Sequence, residues 1–200
     1  FGQALAWACR ARGRSLVVFA AETANPVKLA AMRALGAAVR QVGEDFDAAK
    51  ERGREWARET GVPFVEDGLE PWITEGAGTI GAELLASDEA FDAILVPLGN
   101  GALVSGVGRY VKALSPATEV IGVCASGAPA MERAFRAGSS AAISAAETQV
   151  KTIADGLAVR IPVREAVADM QGLVDDVLLV DDARLREAVV EAAGLDGEAE

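Results

Sequence analysis

Short apolar runs alternate with amphipathic stretches along almost the whole chain, and this alternation limits the fold more than any other feature. A parallel strand pair needs a crossover of a dozen or more residues, usually a helix, so the pattern predicts a mostly parallel sheet covered by helices. Gly2–Arg12 is patterned as a helix. Ser15–Ala20 is a β-rich run and reads as a buried strand. Asn25-Pro26 opens a helix, since Asn suits the N-cap and Pro the first helical position. Leu29, Met32 and Leu35 follow at helical spacing, and Gly36 stops it. Ala38–Val42 is the next strand, and Asp45 caps a helix to Thr60 with Gly61 as its stop. Val62–Val65 is a further apolar run, read as a strand, so residues 1–69 form a small open α/β unit.

Asp67–Pro71 carries turn chemistry and marks a boundary to a second domain, residues 70–200. That domain reads as helix Gly76–Leu85, strand Phe91–Val96, helix Gly101–Leu114, strand Val120–Cys124 and helix Pro129–Ala137. Ala137–Glu147 is an Ala/Ser-rich loop, and Thr152–Gly156 a compact turn. Helix Val163–Gln171 and strand Asp176–Val180 follow. Asp181 and Asp182 together cap a last helix, Ala183–Ala193, before an acidic tail from Gly194 to Glu200. Ala102, Ser105, Gly106 and Gly108 make one face of Gly101–Leu114 small, which suits close approach to a sheet or a ligand.

Ile94–Gly106 holds the main candidate site. An apolar strand runs into a Gly-rich turn and then a small-residue helix. That order gathers backbone N–H groups at a helix N-terminus, a place suited to phosphate, and beyond the carboxyl end of a strand. No lysine follows as a Walker-type nucleotide loop requires. The turn alone is equally compatible with ordinary strand–turn–helix packing.

Composition narrows the chemistry. The 200 residues contain no histidine. This excludes a Ser-His-Asp triad, a Cys-His pair, His-ligated zinc and an imidazole base from this chain. Any proton chemistry falls to a carboxylate, a lysine or a cofactor. The net charge of −11 argues against nucleic-acid backbones and anionic membrane surfaces as partners, and no apolar run is long enough to span a bilayer. Cys9 and Cys124 have no metal-ligand spacing and read as buried reduced thiols of a cytoplasmic protein, with a disulfide left open. The start at Phe1, inside a helical pattern, reads as a piece of something longer.

Five motifs in order carry a resemblance that none carries alone. They are Gly2-Gln3-Ala4-Leu5-Ala6, Met32-Arg33-Ala34-Leu35-Gly36-Ala37, Glu75-Gly76-Ala77-Gly78-Thr79-Ile80-Gly81, Val96-Pro97-Leu98-Gly99-Asn100-Gly101-Ala102-Leu103 and Thr152-Ile153-Ala154-Asp155-Gly156. Over residues 1–195 the chain resembles fold-type II pyridoxal-phosphate enzymes, in the threonine/serine dehydratase and serine racemase branch. The resemblance implies a two-domain α/β architecture of tryptophan synthase beta-like type, with mostly parallel sheets and helices on both faces, here truncated. It implies pyridoxal 5'-phosphate as cofactor, a small amino-acid substrate, a cytoplasmic location and a homodimer. The family's phosphate loop matches Gly99, Asn100, Gly101 and Ala102, with Leu103 next. Two of its usual four glycines are replaced, by Asn100 and Ala102; Asn tolerates positive φ better than most residues. Gly156 matches the residue that lies against the pyridine ring.

The departures are as informative. The family's Schiff-base lysine sits in a Ser-x-Lys-x-Arg type motif, absent here. Its Ser-Gly-Asn-type ring loop would end one residue before Phe1, and its C-terminal Ser, Thr or Cys partner of the pyridine nitrogen also lies outside this chain. None of Lys28, Lys50, Lys112 and Lys151 sits in the required motif, so no catalytic residue is expected within the chain. Some members bind a divalent metal through Glu and Asp at positions that here are Cys124 and Ala130, so no metal is expected there. The implied activity is that of a longer parent protein, an ammonia-lyase turning threonine or serine into a 2-oxo acid and ammonia through an aminoacrylate-type intermediate. The alternatives are a racemase of the same family, a non-catalytic remnant that binds a phosphorylated cofactor or metabolite, and a doubly wound protein for another phosphorylated ligand.

Overall fold

The computed structural model describes residues 1–87, 89–138 and 150–194. The chain divides into two compact units, Phe1–Val65 and Glu66–Glu200.

In the first unit the order is α1 (Gly2–Ala11), β1 (Val17–Ala20), α2 (Pro26–Ala34), β2 (Ala38–Gln41) and α3 (Phe46–Thr60). β1 and β2 pair in parallel, with Val17 opposite Ala38. Leu29 and Met32 of α2 bury against Ala6 and Ala37, which sets the amphipathic stripe of α2 inward. The expected caps are present. The Asn25 side chain accepts from the Val27 N–H at 2.9 Å, and Asp45 accepts from the Ala48 N–H at 2.8 Å. Gly61 closes α3 in the left-handed region at φ 70°.

The expected strand at Val62–Val65 does not form. Pro63 has no N–H for a ladder, and Phe64 is used differently. Its ring lies against α3, where a methyl group on Gly53 would meet Phe64 Cε2 at 3.0 Å, and under Arg54 at 5.9 Å. Cys9, expected buried, is half-buried on α1. Neither cysteine is in a disulfide.

In the second unit the order is α4 (Pro71–Leu85), β3 (Ala93–Pro97), α5 (Ala102–Leu114), β4 (Glu119–Ala125), α6 (Ala130–Ala137), a 3-10 turn (Asp155–Leu157), α7 (Arg164–Met170), β5 (Asp176–Val180) and α8 (Asp182–Ala192). The strands run β3-β4-β5 across the sheet, all parallel. Ile94, Val96, Val120, Cys124 and Val177 bury with α5, Met131 of α6 and Met170 of α7. The alternate positions Leu95 and Leu178 stay more open, as the period of two along a strand requires. Of the Ala/Ser-rich loop expected at Ala137–Glu147, Ala137 is the last residue of α6 and Gly138 its C-cap, while residues 139–147 lie outside the described residues, as do 195–200 of the acidic tail.

One expectation needs correction here. α4 starts at Pro71 rather than Gly76, because Glu70 is extended and Pro71 fits the first helical turn, where no N–H is needed. On the small face of α5, Gly106 lies against α4 and Gly108 against the Leu173 backbone. A methyl group on Gly106 would lie 2.2 Å from the Thr74 carbonyl oxygen, and one on Gly108 2.8 Å from that of Leu173.

Candidate phosphate-binding site

β3 ends at Pro97, and Leu98 prolongs the ladder by one residue, its N–H donating to the Val123 carbonyl at 2.9 Å. Leu98 is fully buried and anchors the turn that follows. The Cys124 thiol reinforces the same point, donating to the Leu98 carbonyl at 3.5 Å. Burial pushes this thiol up to about 12, so it stays protonated and acts as a donor rather than a nucleophile. Ala130, the other position weighed in the sequence as a metal-ligand position, is the buried first residue of α6.

The turn Gly99-Asn100-Gly101 then feeds α5. Gly101 is its N-cap, left-handed at φ 97°. Among the described residues no side chain outside glycine has positive φ, so Asn100 is not left-handed. The tolerance of asparagine for that region is therefore not what admits it here. The residue that needs the special conformation is still a glycine, and the two replaced positions do not. Ala102 is the first residue of α5 and is buried; Leu103 is half-buried. The first bond into the helix is Ser105 N–H to Gly101 carbonyl, at 3.0 Å. The N–H groups of Ala102, Leu103 and Val104 thus precede the helical ladder, and no side chain caps them. They lie at the positive end of the α5 dipole.

The structure brings Gly156 to this turn. A methyl group on Gly99 would lie 3.0 Å from the Gly156 carbonyl oxygen. All the sequence-predicted positions, Gly99, Asn100, Gly101, Ala102, Leu103 and Gly156, therefore meet at the carboxyl end of β3. Ser105, one turn into α5, is 1% exposed and its Oγ has no partner among the described residues.

Sequence reasoning missed the segment that backs the turn from the other side. A methyl group on Gly68 would come 2.9 Å from the Asn100 carbonyl oxygen. Asp67 stands next to it and takes a hydrogen bond from the Asn100 side chain. Burial pushes the Asp67 carboxyl up, against that hydrogen bond. Asp67–Pro71 has only the composition of a turn, and nothing local in Glu66-Asp67-Gly68 announces a contact with Asn100.

The lysines are placed elsewhere. Lys112 Nζ pairs with Asp175 at 2.6 Å and donates to the Thr118 carbonyl at 2.8 Å. It stands at the far end of α5, roughly 15 Å along the axis from the N-cap at the usual rise per residue. Lys50 pairs with Asp47 at 3.5 Å, Lys28 lies on α2, and the Lys151 side chain is exposed. The arrangement can hold an anion by backbone donors.

The family described as "Pyridoxal-phosphate dependent enzyme" matches residues 1–198. An L-threonine ammonia-lyase of Geobacter sulfurreducens is 31% identical over 188 residues, covering 94% of this chain and 46% of that protein. The processed form of threonine deaminase isoform 2 from Solanum lycopersicum superposes with a TM-score of 0.83 at 29% identity, covering 99% of this chain and 56% of that one. A pyridoxal 5'-phosphate-dependent aspartate racemase superposes at 0.85 with 28% identity, covering 97% and 60%. The chain spans less than half the length of the first curated relatives it matches, 27% to 46% of the first two. With the family match over nearly the whole sequence and a parallel α/β fold in agreement, the chain belongs to the fold-type II pyridoxal-phosphate dependent enzyme family.

Proposed function

We propose that this chain is the phosphate-holding portion of a lyase that converts L-threonine or L-serine to a 2-oxo acid and ammonia. The observation that carries the reading is the uncapped N-terminus of α5 beside Gly99, where a methyl group would crowd the Gly156 carbonyl oxygen at 3.0 Å. A phosphate dianion fits such a terminus, which supplies donors and a favourable dipole without a lysine. In this reading the N–H groups of Gly99, Asn100, Gly101, Ala102 and Leu103 hold the cofactor phosphate, and Gly156 lines one face of the pyridine ring. When bound, pyridoxal phosphate supplies the electron sink for the charge left by α-proton loss. This chain's own residues bind and orient; they hold no proton at the reacting carbon, and Cys124 and Ala130 make no divalent metal site. Residues 1–69 and 70–200 are read as portions of the small and the cofactor-binding domain.

Relatives named threonine dehydratase and threonine ammonia-lyase support the lyase. The aspartate racemase similarity favours racemisation as the second reading. Two free thiols suit a reducing compartment such as the cytoplasm. The homodimer is an expectation that sedimentation of the whole protein checks.

The test uses the whole protein. Added pyridoxal phosphate should give an absorption band near the visible edge, and borohydride should lock the cofactor onto a lysine outside residues 1–200. Threonine should then yield a 2-oxo acid and ammonia. Conversion to the opposite enantiomer without ammonia would select the racemase. Absence of both band and trapped lysine would leave only a remnant that binds a phosphorylated ligand.

A further inference from the structure

Lys151–Gly156 runs across the carboxyl ends of all three strands of the larger sheet. Beyond β4, the Lys151 N–H donates to the Gly127 carbonyl at 2.9 Å. The fit there is close: a methyl group on Gly127 would overlap the Lys151 carbonyl oxygen at 1.9 Å. Beyond β5, Asp182 takes two hydrogen bonds from the strap. Thr152 Oγ1 donates to Oδ1 at 2.6 Å, and the Ile153 N–H donates to Oδ2 at 3.0 Å. Thr152 Oγ1 also accepts from the Ala154 N–H at 3.1 Å. Beyond β3, the strap ends with the Gly156 carbonyl facing Gly99.

Asp182 is free for this because it is not the helix cap. Asp181 caps α8, accepting from the Arg184 N–H at 2.9 Å. Both carboxylate oxygens of Asp182 go to the strap instead. Hydrogen bonds to a charged acceptor are the stronger kind. The 3-10 turn, closed by Leu157 N–H to the Ala154 carbonyl at 2.9 Å, leaves little slack between Thr152 and Gly156.

We propose that Asp182 is a positioning residue for the cofactor site, holding Thr152 and Ile153 so that Gly156 stays against Gly99. The proposal rests on the reading of Gly99–Leu103 as the phosphate cradle. Without Asp182 the Ile153 N–H loses its acceptor, Thr152 is released, and the wall next to Gly99 moves away from the ligand. The neighbouring Asp181 separates this role from simple support of α8.

The experiment titrates pyridoxal phosphate into the cofactor-free whole protein and follows thermal unfolding in parallel. Asp182→Ala should weaken the cofactor Kd about tenfold, in line with one charge-assisted hydrogen-bond pair. Thr152→Ala should weaken it similarly, the double variant should be no worse than either single one, and Thr152→Ser should restore binding. Asp181→Ala should lower the unfolding midpoint yet leave Kd within about twofold, since it removes only a cap. A folded Asp182→Ala protein with unchanged Kd overturns the proposal, and so does an equal weakening by Asp181→Ala. If Asp182→Ala does not fold, the Thr152→Ala and Thr152→Ser pair decides the question alone: equal affinity in both overturns it. If the unaltered protein binds no pyridoxal phosphate, the cradle reading falls and this proposal with it.

Discussion

Gly101 is held at φ 97°, where a side chain costs about 1–2 kcal/mol, and an added methyl group would also press on Ala166 at 3.3 Å. Gly101→Ala should lower the thermal midpoint and weaken cofactor binding together, measured by unfolding and titration. Asn100→Gly should destabilise by about 1–3 kcal/mol in chemical denaturation, because the buried Asp67 carboxyl loses the Asn100 hydrogen bond, although Asn100 occupies no special backbone region. Cys124 offers an independent check. Its buried thiol should resist alkylation in the native protein while Cys9 reacts. The native thiol keeps its proton where the unfolded one has lost it. Its contribution to stability is therefore intact at neutral pH and falls as pH climbs past the ordinary thiol range towards about 12. Magnesium should leave the midpoint unmoved, since Cys124 and Ala130 offer no carboxylate; a specific upward shift traced to these positions would contradict the reading of this site. At this scale the caps of Asn25, Asp45 and Asp181 were legible in the sequence, because each bonds an N–H two or three residues ahead. Asp182 was not: it reads as a second cap, but its partner Thr152 lies 30 residues away.

Helices α4 and α5 pack along a seam of small residues. Gly78 and Gly81 of α4 and Gly106 of α5 let the backbones approach to carbonyl contact. Gly106→Ala cannot be accommodated by a rotamer change, because the obstructing atom is the Thr74 backbone oxygen. The two helices must separate, at a cost of about 1–3 kcal/mol or more, readable in chemical denaturation. Since α5 also presents the phosphate-binding turn, cofactor affinity should fall with stability in this variant. The small face was visible in the sequence; its neighbour was not, because spacing along a helix shows which residues share a face and not what lies opposite. The start of α4 was misplaced for a related reason. Asp67–Pro71 has the composition of a turn, and only the extended Glu70 followed by helical Pro71 shows where the turn gives way to helix. Val62–Val65 has strand composition, yet its aromatic packs on α3 and Pro63 withholds a donor.

For the whole molecule, the 200-residue chain should show no dehydratase turnover when expressed alone, since none of its lysines sits in the family's Schiff-base motif. Ammonia release from threonine by this chain, assayed with added pyridoxal phosphate, would overturn that expectation. What the sequence by itself determined is the parallel α/β class, the strand–turn–helix at Ile94–Gly106 and the family. These follow from residues close together in the chain, whose periodicity and turn chemistry act locally, and from motif order, which needs no contacts. The tertiary structure alone decided which glycine of the loop must be left-handed, that Gly156 faces Gly99, that Asp67 meets Asn100, and that Asp182 holds the strap. Those are pairings between segments tens of residues apart, made only once strands align in register and their carboxyl ends share one edge.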